Sequence, residues 1–241
     1  MNKVFVGFDP RQPITYSVYM LSLMAQAEKE PLSVTPLILK SLPITRQGLT
    51  PFTYSRFLVP WLCDYEGWAL FTDADMLAEG DISDIFALAD DKYAVMTVDT
   101  TPAFERAAVM LFNCSHPDNK KLTPLFVENC DVPLHKIGWT KARGNLPPEW
   151  NHLVLYDEPI DNARLIHFTA GAPCYHGITD RVPYSERWRE WSNMSNSITP
   201  YDNLMKRSVH HPRTLAYNDW LDADGEASFN DYFKARQDNA A

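Results

Sequence analysis

The run Trp68-Ala69-Leu70-Phe71-Thr72 followed by Asp73-Ala74-Asp75 constrains this chain more than any other stretch. Four consecutive apolar residues suit a strand covered on both faces, as in a sheet flanked by helices on either side. Such sheets bind ligands beyond the carboxyl ends of their strands, where Asp73 and Asp75 fall. If the backbone stays extended, residues i and i+2 point the same way, so both carboxylates can converge on one cation. An oxygen-only pair favours magnesium or manganese over zinc. The competing reading is a strand end whose carboxylates cap the following turn.

The chain carries its own control. Asp222-Ala223-Asp224 repeats the tripeptide without an apolar run before it and with Gly225-Glu226 behind it, which reads as a solvated turn. An EF-hand frame fails there because Trp220 would occupy the first ligand position. Context, and not the tripeptide, separates the two copies.

The flanking pattern alternates strand and helix, which predicts an α/β layer architecture. Strands are expected at Lys3–Phe8, Leu32–Leu39, Trp68–Phe71, Tyr93–Val98, Val109–Phe112, Leu153–Tyr156 and Arg164–Phe168. Helices are expected from Tyr16 to Ala27, Phe52 to Tyr65 and Asn119 to Asn129, with a turn and short helix over Gly80–Phe86. The segment Val132–Trp150 lacks clean periodicity, and so long an irregular stretch is more often functional than idle. Beyond Gly177 the chain turns polar with scattered aromatics, so residues 1–177 are expected to form the main domain and 178–241 a helical appendage. Trp188 and Trp191, three apart, suit packing of that appendage on the core or, alternatively, a sugar platform or dimer contact.

Charge and cysteine usage narrow the functional classes. A formal net charge of −9 over 241 residues argues against nucleic acid as the main partner. Met1-Asn2-Lys3 leads straight into the first strand, too short for a signal peptide, and no apolar run approaches the ~20 residues that span a bilayer. A soluble, cytoplasmic protein is expected. Cys63, Cys114, Cys130 and Cys174 are widely spaced, which suits reduced thiols better than a disulfide framework or zinc site.

A second candidate ligand is His167, in Leu165-Ile166-His167-Phe168-Thr169-Ala170-Gly171, another apolar run that ends in a polar residue before a glycine turn. A hydrogen-bonded structural histidine is the alternative. In order, several segments resemble GT-A glycosyltransferases, most closely the family 8 enzymes related to glycogenin and the bacterial galactosyltransferases. They are the first strand with its polar turn, Tyr54-Ser55-Arg56-Phe57, the paired aspartates with Gly80-Asp81-Ile82, Met110-Leu111-Phe112-Asn113, Leu146-Pro147-Pro148-Glu149-Trp150-Asn151 and the late histidine. The resemblance spans roughly Lys3 to Gly177.

That resemblance implies a mixed sheet flanked by helices. It implies a divalent metal, Mn2+ or Mg2+, held by Asp73, Asp75 and His167 against the diphosphate of a nucleotide-sugar donor, with a UDP-sugar the expected one. Arg56 would contact the donor sugar or hold an aspartate. Asp9 and Arg11 fall where the family binds base and ribose, Asn113 would hydrogen-bond the donor sugar, and Gly171 belongs to the glycine turn behind the histidine. Hexose transfer to a carbohydrate or other hydroxyl acceptor, with retention, is the implied activity. The family also places a lysine on the diphosphate in His-x-x-Gly-x-x-Lys, whereas here the glycine is displaced by one residue and Pro173-Cys174-Tyr175 replaces the lysine region. Lys136, Lys141 and Arg143 are candidate substitutes or free surface charge. A binding module of the same fold without turnover is the non-enzymatic alternative. A haloacid-dehalogenase-type phosphohydrolase would need the aspartates on the first strand.

Overall fold

The computed structural model describes residues 1–175, 179, 181–195, 211–223 and 228–238. The chain divides into two compact units, Met1–Ser195 and Asn196–Ala241. Among the described residues no helix is long and apolar enough to cross a membrane.

The first unit is built on a six-stranded sheet and a three-stranded one. β1 (Asn2–Gly7), β2 (Leu32–Leu37) and β3 (Trp68–Thr72) run parallel, with helix α1 (Pro13–Gln26) crossing between the first two. A short helix α2 (Val59–Leu62) leads into β3, and the paired aspartates then carry the chain to β4 (Met76–Ala78) in the smaller sheet. Helix α3 (Ser83–Phe86) and β5 (Val95–Val98) return it to the large sheet, and β6 (Val109–Asn113) pairs antiparallel with both β3 and β5. Helix α4 (Pro124–Asn129) precedes β7 (Arg143–Leu146), which adds to β5 in parallel at the edge. β8 (His152–Leu153) and β9 (Leu165–His167) complete the smaller sheet, in which β9 pairs with β4.

Alternate residues of the central strands enter different apolar clusters. Phe5, Ala69, Phe71, Met110 and Phe112 belong to one, and Val4, Val6, Leu70, Val109 and Leu111 to another that includes Tyr19 and Leu23 of α1. The sheet is therefore buried on both faces, which is why β3 is continuously apolar. A third cluster joins Val18 of α1, Leu77 of β4, Ile166 of β9 and Trp188 of helix α5 (Ser185–Ser195). The first unit thus takes in the helix with Trp188 and Trp191, which the sequence reading assigned to the appendage.

Some local expectations are corrected. The helix expected over Phe52–Tyr65 is a turn, a 3-10 segment at Ser55–Leu58 and α2, ended by left-handed backbone at Asp64 and Tyr65. That expected over Asn119–Asn129 breaks before Pro124, where Thr123 caps α4 through a 3.2 Å bond from the Phe126 amide. Inside the irregular segment lies β7. Its Gly144 is fixed by close approach, because a Cβ there would meet the Tyr93 ring at 2.5 Å. Asp222 is the last residue of a helix, His211–Asp222, and not part of a turn, while Asp224 and Gly177 lie outside the described residues.

Candidate active site

Asp73 and Asp75 sit between two sheets, and not along one strand. The Asp73 amide still donates to Ala108 O at 3.0 Å, continuing the β3–β6 ladder by one step, and the chain then bends through Ala74 and Asp75 into β4. The extended-backbone argument is therefore corrected: the bend, not strand periodicity, brings the carboxylates together. β4 faces β9 with Met76 opposite His167, and the Phe168 amide donates to Asp75 O at 2.9 Å. One ligating atom each from Asp73, Asp75 and His167 lies within 4.8 Å of the others.

The unmet bonding capacity of this trio points to a cation. Asp73 Oδ1 and Asp75 Oδ1 are both buried without a hydrogen-bond partner. Leaving a buried carboxylate oxygen unsatisfied is costly unless charge compensates it. Asp73 Oδ1 does have an ion-pair partner, Arg56 Nη1 at 3.0 Å. Asp75 Oδ1 faces His167 Nε2 at 3.4 Å. Burial pushes the Asp73 carboxyl up to about 7; Arg56 opposes that rise and Asp75 adds to it. Burial disfavours protonated His167, yet Asp75, Glu105 and Asp73 outweigh it and hold the imidazole above its ordinary value. Two carboxylates and an imidazole with free ligand atoms fit a divalent cation.

Arg56 is itself buried. Its Nη1 donates to Ala107 O at 2.7 Å and its Nε to Phe52 O at 3.3 Å, so the guanidinium is locked against the Asp73 side of the site. Together these groups line a cavity of about 210 Å³ whose walls also include Phe104, Glu105, His135 and Thr169. Among the described lining residues Arg56 is the only lysine or arginine against three carboxylates. Burial and the neighbouring Arg56 charge press the His135 imidazole down to about 4, so it stays neutral at ordinary pH.

The remaining expected site residues are scattered. Asp9 is buried just beyond β1 and is held by Arg11, whose Nε lies 2.9 Å from Asp9 Oδ1. Those bonds keep the Asp9 carboxyl below the ordinary range despite its burial. Arg11 also donates to Leu49 O at 3.1 Å, and Leu49 lines the cavity, so this pair adjoins its rim. Gly171 has φ +113°, and its amide is spent on Phe168 O at 2.8 Å. A Cβ at Gly171 would lie 3.3 Å from the Tyr175 ring, so Tyr175 stands beside the glycine turn. Lys136, Lys141 and Arg143 are exposed and do not line the cavity.

Asn113 is not brought to the site. β6 runs antiparallel to β3, so Asn113 pairs with Trp68 at the start of β3 while Val109 pairs with Thr72 at its end. Its side chain instead reaches Asp91 O at 3.5 Å. Conversely, Glu105, Thr169, His135 and Asn151 surround the trio without having been assigned a role from sequence. Thr169 donates to a carboxylate oxygen of Glu105, and Asn151 bonds His167. Asn151 carried a signal in its place in the Leu146–Asn151 motif, and Thr169 in the Leu165–Gly171 stretch around His167.

The architecture is the GT-A fold of nucleotide-sugar transferases. Its solved relatives include the bifunctional glycosyltransferase WbbM (TM-score 0.60, 13% identity, 86% of this chain and 51% of that one). The glycosyltransferase GlyE of Streptococcus pneumoniae TIGR4 aligns with TM-score 0.58 and 16% identity over 80% of this chain and 61% of that one. The galactosyltransferase LgtC, in complex with donor and acceptor sugar analogues, aligns with TM-score 0.55 and 12% identity over 83% of this chain and 99% of that one. The chain thus spans about half the length of WbbM and about three fifths of GlyE. No family model matches the sequence. Protein CDI of Arabidopsis thaliana is 33% identical over 221 residues, covering 77% of this chain and 84% of that protein, and the chain belongs to its family.

Proposed function

We propose that the protein is a metal-dependent glycosyltransferase of the family 8 kind. It moves a hexose-type sugar from a UDP-sugar to an acceptor hydroxyl with retention at the anomeric carbon. The observation that carries this reading is the trio Asp73, Asp75 and His167, with buried, unsatisfied carboxylate oxygens, at the carboxyl edge of a GT-A sheet. A cytoplasmic location fits the free thiols of Cys63, Cys114, Cys130 and Cys174.

Charge supports the donor class. A diphosphate entering a cavity walled by Asp73, Asp75 and Glu105 meets like charge, and Arg56 is already paired with Asp73. A divalent cation held by Asp73, Asp75 and His167 would supply the positive charge that stabilises a departing diphosphate. Arg56 fixes the Asp73 carboxylate, and the Asp9–Arg11 pair stiffens the turn at the rim on the side assigned to base and ribose. The likeness to LgtC with its sugar analogues is the ground for a hexose.

Calorimetric titration of UDP and UDP-glucose or UDP-galactose, with manganese and with chelator, tests the reading. Donor and metal should each raise the other's affinity by the same factor. Equal UDP affinity in the two conditions refutes the bridging role. Manganese-dependent UDP-sugar binding with neither hydrolysis nor transfer leaves a binding module in place of an enzyme.

A further inference from the structure

Asn151 ends the 3-10 segment Pro148–Asn151, immediately ahead of β8, and is 1% exposed. Its amide is oriented by what surrounds it. Nδ2 donates to the Glu105 carbonyl at 3.0 Å, and a carbonyl can only accept, so the oxygen of the amide must point the other way. That oxygen lies 3.0 Å from His167 Nδ1. A second acceptor, Glu105 Oε2, is 3.9 Å from the same nitrogen.

We infer that Asn151 is a positioning residue: it fixes His167 with its proton on Nδ1 and so leaves the Nε2 lone pair facing the aspartates as a ligand. Histidine ligands characteristically hold their tautomer through such a bond from the far nitrogen. In this tautomer Nε2 and Asp75 Oδ1 face each other at 3.4 Å as two acceptors. That arrangement is favourable only when a cation joins them. With the proton on Nε2, His167 would instead be a hydrogen-bond partner that fills the ligand position. The inference rests on the reading of Asp73, Asp75 and His167 as a metal site, and it adds the group that keeps the histidine ready for that role.

The test has two arms. In metal-free protein labelled with 15N-histidine, held above the pH at which the His167 signals cease to change, the His167 resonances are assigned by their absence from His167→Ala. They should show Nδ1 protonated and Nε2 bare, and Asn151→Leu should shift protonation toward Nε2. In the second arm manganese affinity is read by electron paramagnetic resonance. Asn151→Leu should bind about 10–100-fold more weakly, whereas Asn151→Asp, which keeps an acceptor oxygen, should stay near the parent.

The wild-type spectrum needs no Asn151 variant to fold, and Nε2-protonated His167 there overturns the inference. So does Asn151→Leu with unchanged tautomer and unchanged manganese affinity. Wild-type protein that binds no manganese removes the metal reading, and the tautomer then decides the role of Asn151 by itself.

Discussion

The Oδ1 atom of Asp75 is buried and accepts no hydrogen bond, so at a pH where His167, 3.4 Å away, is neutral it weighs against folding until a cation faces it. Asp75→Asn should therefore stabilise the metal-free protein, by about 1 kcal/mol in urea unfolding, while manganese binding is lost. A gain in stability that accompanies loss of binding marks a residue kept for function; a variant that is destabilised and still binds manganese would return Asp75 to a structural role. Arg56 should behave oppositely. Arg56→Met leaves Asp73 without its ion-pair partner and the Ala107 and Phe52 carbonyls without their donor, so unfolding in chelator should be easier by about 3–5 kcal/mol. Arg56→Lys keeps the charge but not the fork and should recover only part of that loss; full recovery would show that charge alone matters there.

Between elements, Asp81 ties the start of α3 to the turn that follows α1. Its Oδ2 accepts from the Glu28 and Lys29 amides at 3.0 and 2.9 Å, and its Oδ1 from the Ser83 amide at 2.8 Å. Burial would raise this carboxyl, but the bonds from Ser83, Lys29 and Glu28 outweigh it and hold it below the ordinary range. A folded-state value below the unfolded one means that the stabilisation is present above about pH 3.9 and fades as pH falls through the folded value. Asp81→Asn should cost about 1–2 kcal/mol at neutral pH, and the gap from wild type should narrow in acid; a gap constant down to the acid limit of folding would show that the charge is irrelevant. The same scale explains what could be read in advance. β3 was legible because burial on both faces demands an unbroken apolar run, whereas β7, Arg143-Gly144-Asn145-Leu146, has one large apolar residue and takes its place from Tyr93 above Gly144. Asp73, Asp75 and His167 stood out because each follows or ends an apolar run. Asn113 did too, but strand direction is not written in one strand, and β6 runs the opposite way. Glu105 reaches His167 from 62 positions away in sequence, in a short 3-10 segment, Ala103–Ala108, with no periodicity to mark it, which is why only packing discloses it.

At the scale of the whole molecule, the first unit is carried to Ser195 by one helix. Trp188 on α5 is 2% exposed among Val18, Leu77, Ile166 and Phe168, so it backs β4 and β9, the strands that present Asp75 and His167. Tyr184, just ahead of that helix, accepts from the Ile160 amide at 2.7 Å and donates to its carbonyl at 2.8 Å. A chain ending at Ser195 keeps both residues and should unfold in one cooperative transition with its manganese affinity intact. A chain ending at Pro183 loses both. Removing a buried tryptophan alone costs about 3–5 kcal/mol, so this shorter chain should unfold at clearly lower urea concentration, and the loosened β4–β9 pair should bind manganese more weakly. Matching unfolding curves and manganese affinities for the two truncated chains would show that α5 is dispensable to the unit, and would place the domain boundary near Gly177, where the change in sequence character lies.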